Sequence, residues 1–201
     1  MRGMKMINLD DYDIFKDRDY ISPLKKTSKD DANEMYMTEY TEDVINFDKI
    51  VKAYCKKIHI GSIDSNDALM AFTDDENVTF IEFKNGYIDR KHQQKLFKKI
   101  YNSILIFSDI TKTTISNTRQ FMNYILVYNG EKNSDNSNPK TKYRESASRD
   151  EISKTLLGYA NETYIKYGLE FFKGYCFKDV KTYTKSEFKC YLKNHNKLHK
   201  Q

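Results

Sequence analysis

The chain has no tryptophan, and only two prolines and seven glycines among its 201 residues. So little Pro and Gly excludes collagen-like, mucin-like and Gly/Ser-linker sequences. No apolar run reaches the roughly 18 residues that a membrane-spanning helix requires. Residues 1–19 are charged where a secretory signal needs an apolar stretch. The expectation is a cytoplasmic protein with no membrane part. Cysteine is scarce too: Cys55, Cys176 and Cys190 are odd in number and form no CxxC pair. That pattern fits reduced thiols better than a disulfide framework or a zinc knuckle. A Gly-rich phosphate loop, GxSxG and HExxH are all missing, which leaves P-loop, α/β-hydrolase and zincin chemistries without support.

What the chain has in quantity is aromatic residues, 16 Tyr and 12 Phe. These supply the apolar area that a disordered chain lacks, and the length suits one domain. The net charge of +5 is unevenly spread: residues 1–48 hold seven basic and twelve acidic side chains. The remainder is therefore strongly basic, with clusters around Lys84 to Lys99 and in the tail from Lys173 onward. Such clusters suit a phosphate-bearing partner, or simply a solvated lysine face.

Periodicity divides the chain into parts. Residues 1–40 lack a clean period and read as an acidic wrap around the domain. Residues 41–58 carry Val44, Ile45, Phe47, Ile50, Val51, Tyr54, Cys55 and Ile58 at helical steps, with Thr41 as N-cap. Residues 67–72 and 78–84 alternate as two strands of a hairpin, closed by Asn85-Gly86. A long helix follows from about Asp89, its buried face drawn through Leu96, Phe97, Ile100, Tyr101, Ile104 and Leu105. Residues 121–128 read as a buried strand, 131–149 as an exposed loop, 150–167 as helical segments, 171–183 as strand and 185–194 as a terminal helix. The order implies a single α/β (or α+β) domain, a mixed central sheet with flanking helices.

The fragment with chemical content is Asp67 followed by Glu82-Phe83-Lys84. On a strand Glu82 and Lys84 share a face, and counting from a turn near Asp75-Glu76 sets Asp67 opposite Lys84. Two carboxylates with the Phe83 carbonyl form an oxygen site for Mg²⁺ (or Mn²⁺), and the lysine beside them can orient water or stabilise developing negative charge. Composition alone produces about four acid-x-lysine triplets in such a chain. Asp179-Val180-Lys181 is a rival, and Glu187-Phe188-Lys189 falls in a helix. Glu82 differs in having an apolar strand, an acid on the partner strand and a helix directly after it. The competing account is a surface cross-strand ion pair that contributes little.

Residues 41–129, with Asp67, Glu82 and Lys84 in this order, resemble the core of the PD-(D/E)XK nuclease superfamily. No proline precedes Asp67; Asn66 stands there. The resemblance implies metal-dependent phosphodiester hydrolysis of nucleic acid, DNA rather than RNA. Asp67 and Glu82 would be the metal ligands, Glu42 an assisting acid of the first helix, and Lys84 the catalytic lysine. Gln93 or Gln94 would stand for a helix glutamine that some members carry. Arg90, Lys91, Lys95 and Lys98, with these glutamines, would line the phosphate backbone. A homodimer would suit cutting of both strands.

The alternative from another class is a non-catalytic immunity or regulatory protein on the same fold, using the acidic first quarter to meet a protein partner. Weaker candidates are His195 with His199 as a metal pair and the isolated His59 and His92. The aromatic run Tyr164, Tyr167, Phe171, Phe172, Tyr175 and Phe177 offers surfaces for stacking on unpaired bases.

Overall fold

A computed structural model describes residues 7–72, 75–134 and 164–198. Its elements in chain order are α1 (Asp13–Lys16), β1 (Ile21–Pro23), α2 (Leu24–Thr27), β2 (Lys29–Asp30), β3 (Met35–Tyr36), β4 (Asp43–Asn46) and α3 (Phe47–Lys57). These are followed by β5 (Ala68–Phe72), β6 (Asp75–Lys84), α4 (Arg90–Thr111), α5 (Ile115–Phe121), β7 (Met122–Tyr128), β8 (Asp179–Thr184) and α6 (Lys185–Leu198). Six strands form one mixed sheet in the order β1-β4-β5-β6-β7-β8, and β2 pairs with β3 apart from it. Neighbours from β1 to β6 are antiparallel, whereas β6, β7 and β8 run parallel. The fold is α/β, with helices on both faces of a mixed sheet.

Alternation along β6 explains the two apolar layers. Val78 and Phe80 join Leu69, Tyr124 and Leu126 in a core with Phe47, Ile50 and Val51 of α3 and Leu96, Ile100, Ile104 and Phe107 of α4. Ile81 faces the other way with Met70, Ile125 and Val127, under Leu24 of α2 and Phe188 and Leu192 of α6. Burying a Phe or Leu fully contributes about 1.5–3 kcal/mol. The central strands β5, β6 and β7, apolar on both faces, are thus the rigid frame of the molecule.

Several expectations are corrected. The helix drawn over 41–58 starts at Phe47: Val44 and Ile45 point to opposite faces of β4, and Asn46, not Thr41, is the N-cap, its side chain accepting from the Lys49 amide at 3.0 Å. Two adjacent β-branched residues fit either period, and pairing with β1 and β5 decided for strand. Residues 1–40 do more than wrap: Leu9 and Phe15 enter one core layer, Leu24 and Met37 the other, and β1 is an edge strand. Tyr101 and Leu105, assigned to the buried face of α4, are 39% and 65% exposed, and Ser103 and Phe107 are buried instead. The strand expected over 171–183 is confined to β8, with a 3-10 turn at Leu169–Phe172. α5 was not anticipated. Of the loop expected over 131–149 and the helical segments expected over 150–167, residues 135–163 lie outside the described residues, and residues 164–167 are not helical.

Candidate functional site

The hairpin turns earlier than simple counting suggested. Phe72 opposes Asp75, and past the irregularity at Ala71/Phe72 the register brings Ala68 opposite Ile81. One step further, Asp67 stands across from Glu82 rather than from Lys84. The Phe83 amide donates to Asp67 Oδ2 at 2.7 Å, fixing the carboxylate at the strand end. Leu69 and Phe80 mark the α3/α4 face of the sheet, so the two carboxylates share that face beneath α4.

The cation that meets them is Lys99 of α4. Its Nζ lies 2.7 Å from Glu82 Oε1 and 3.4 Å from Asp67 Oδ1. Lys99 falls on the stripe that buries Leu96, Ile100 and Ser103, three and four residues apart, so its stem must lie against the sheet. Sequence reasoning missed it, although a lysine within the apolar stripe of a helix is a visible signal. The Ser103 hydroxyl, one turn on, accepts from the Asn66 amide at 2.8 Å and ties the approach to Asp67 to the same helix.

Burial governs the electrostatics. The Glu82 side chain is only 2% exposed, against 22% for Asp67 and 26% for Lys99. Desolvation first, then the neighbouring Asp67 charge, pushes the Glu82 carboxyl up to about 8, against the pull of Lys99. Desolvation also raises Asp67, and Asp48 adds to it, while Lys99 and the Phe83 amide oppose. Burial alone would lower Lys99, but Glu82 and Asp67 together outweigh it and its ammonium is held above the ordinary range. Glu82 Oε2 and the Tyr124 hydroxyl, both buried, find no hydrogen-bond partner among the described residues. Buried polar atoms without partners are uncommon, and a water or an ion is the usual kind of group that satisfies them.

Lys84 is half-buried on the same face, and no hydrogen bond or ion pair of its ammonium forms among the described residues. It lines, with Asp67, Asn85, Gly86 and the segment 27–31, a polar cavity of about 230 Å³ at the end of the sheet. Asn85, expected to close the hairpin, and Asn129 form part of that end: Asn129 Nδ2 donates to Asn85 Oδ1, and Asn85 Nδ2 to Asp30 Oδ2, each at 2.8 Å. Glu42 is not on the first long helix; it is exposed and precedes β4. The acid in the first turn of α3 is Asp48, which accepts from the Ser65 hydroxyl at 2.7 Å. Arg90, Lys91, Gln94, Lys95 and Lys98 are exposed on α4 and Gln93 is half-buried. Their helix starts at Asp89, whose side chain caps the His92 amide at 2.8 Å and engages the His92 ring.

Among the described residues no group of three or more His, Cys, Asp or Glu is placed to hold a metal ion. Asp67 and Glu82 nevertheless fit a hard cation: both offer oxygen, they share one face, and Glu82 Oε2 has no partner among the described residues. Lys99 is the internal competitor for that position. His59 ends α3 exposed with a left-handed φ of 57°, His195 packs on Tyr191, and His199 lies outside the described residues. The three cysteines are free thiols. No helix among the described residues is long and apolar enough to cross a membrane. In comparisons with known proteins, the chain matches no family model, no curated protein and no solved structure.

Proposed function

We propose that the Asp67–Glu82 site carries out metal-dependent phosphodiester hydrolysis of nucleic acid, DNA in the first instance, with Lys99 joining Lys84 as its cationic component. One observation carries this reading. Two carboxylates, one almost fully buried with an oxygen that has no partner among the described residues, both meet the Lys99 ammonium at the end of the sheet. Strongly shifted carboxylates in such a place are characteristic of sites that do chemistry. Mg²⁺ or Mn²⁺ held by Asp67 and Glu82 would supply Lewis-acid polarisation of a phosphoryl oxygen.

The chain's own residues do the rest. Lys99, anchored by α4, balances charge at the carboxylates and presents an ammonium to negative charge developing on phosphate. Lys84, without an ion pair among the described residues and at the cavity mouth, orients the attacking water. The amide of Phe83 holds Asp67 in one rotamer, so the acid pair is pre-organised. The exposed basic residues of α4 hold the backbone of the substrate.

Cleavage of labelled single- and double-stranded DNA and RNA with Mn²⁺ or Mg²⁺ tests the reading. Wild type should cut, and Lys84→Ala and Glu82→Gln should lower the rate by at least about a hundredfold while the fold persists. Cutting undiminished in both variants would remove the assignment.

A second reading has its own observation. Lys99 already balances the acid pair, so the triad also serves a non-catalytic immunity or regulatory protein whose acidic N-terminal region meets a partner. Failure of divalent cations to raise the Tm of wild type, together with no cleavage, favours it.

A further inference from the structure

The aromatic segment 164–177 divides into two populations. Phe172 and Phe177 are fully buried, whereas Phe171 is 57% and Tyr175 48% exposed. Gly174, at φ 73°, turns the chain between them, and the Phe171 and Tyr175 rings lie 5.1 Å apart. Phe171 and Tyr101 of α4 both rest on the buried Phe172 ring, at 5.4 and 5.3 Å, so the three exposed rings adjoin one another. Leu105, 65% exposed, follows Tyr101 by four residues on the helix. An apolar patch of this kind on the surface requires a use.

The patch continues a basic stripe. Lys91, Lys95, Lys98, Tyr101 and Leu105 follow one another at steps of four, three, three and four, hence along one outward face of α4 about 21 Å long. Lys91 and Lys95 form no ion pair among the described residues, and Lys98 makes only a 3.8 Å contact with Asp64.

We infer that this face, Lys91 to Leu105 of α4 with Phe171 and Tyr175, is a track for single-stranded nucleic acid, phosphates on the lysines and bases on the rings. Cations followed by exposed π faces suit an unpaired strand, which offers both charge and stacking surfaces. A duplex presents only its charged backbone and leaves the rings with nothing to stack on. The inference rests on the hydrolytic reading only for what is done to the strand; binding is measured on its own.

The test is fluorescence anisotropy of labelled oligo(dT), oligo(rU) and a mixed-sequence DNA duplex with the full chain in EDTA. Both single strands, or one of them, should bind more tightly than the duplex, and a preference between them identifies the sugar. Phe171→Ala/Tyr175→Ala should weaken binding by about tenfold or more without altering the salt dependence. Lys91→Ala/Lys95→Ala/Lys98→Ala should lower the slope of log K against log salt by about 2. Circular dichroism establishes that each variant is folded. No binding by folded wild type, or duplex binding as tight as single-strand binding with the ring variant unaffected, overturns the track. Cleavage without track binding rejects only the track, and binding without cleavage rejects only the hydrolysis.

Discussion

Two strands of this sheet carry an acid-x-lysine triplet, and the structure treats them differently. In β8, Asp179 pairs with Lys181 at 3.5 Å and with Lys173 at 3.1 Å, all three at least 31% exposed. In β6, Glu82 is buried and takes its cation from α4, fifteen residues past the strand's own candidate, Lys84, by way of a helix. Lys84 is left without an ion pair among the described residues. The same three-letter pattern thus gives a solvated surface pair in one strand and a desolvated, charge-coupled site in the other. What differs is the cover: α4 closes over the end of β6 and brings a lysine with it. Burial converts an ordinary carboxylate into one with an unusual proton affinity, and the triplet by itself has no control over burial.

The largest expected break in this contrast comes from Lys99→Met. Removing the cation leaves two buried carboxyls uncompensated, with a loss on the order of 3 kcal/mol in urea unfolding at pH 8. The loss should shrink at pH 5, where Glu82, raised to about 8, is protonated. An equal loss at both pH values would show that packing of the lysine stem, not charge, is responsible.

The pH profile of wild type gives the next effect. Glu82 is raised from its ordinary 4.5 to about 8, and Asp67 is raised as well, so the folded state holds protons that the unfolded chain releases. The stability from this source is fully present below about pH 4.5 and is lost as pH rises through about 8. The slope is up to about 1.4 kcal/mol per pH unit for each group. Glu82→Gln should flatten the curve over that window; an unchanged slope would place the proton elsewhere. The smallest effect belongs to β8: Lys181→Ala should cost less than about 0.5 kcal/mol in the same unfolding measurement. A cost comparable to that of Lys99→Met would erase the distinction between the two strands.

The hairpin and its following helix were legible because both rest on local signals. Alternation over β6 and the Leu96, Ile100 and Ile104 stripe of α4 need only near neighbours in sequence. Asp67 and Glu82 were identified correctly as residues that meet, but their register was two residues off. The cause is the turn, which closes between Phe72 and Asp75 rather than near Asp75-Glu76, and the irregularity at Ala71/Phe72 makes up only part of that difference. Thr41 failed as a cap because Val44 and Ile45 obey both periods, and only β1 and β5 on either side select the strand. Glu42 failed with it, and Asp48 took the helix position.

By itself the sequence determined the alternating strands, the amphipathic helices, the lack of disulfides and of long apolar helices, and the presence of an acid on each arm of a hairpin. These follow from side-chain period and composition, which act over a few residues. The tertiary structure alone decided that Asp67 faces Glu82, that Lys99 and not Lys84 balances them, and that Tyr101 and Leu105 look outward beside Phe171 and Tyr175. Each of those depends on which element packs over which strand end. Desolvation and ion pairing are set by that packing, between residues far apart in the chain.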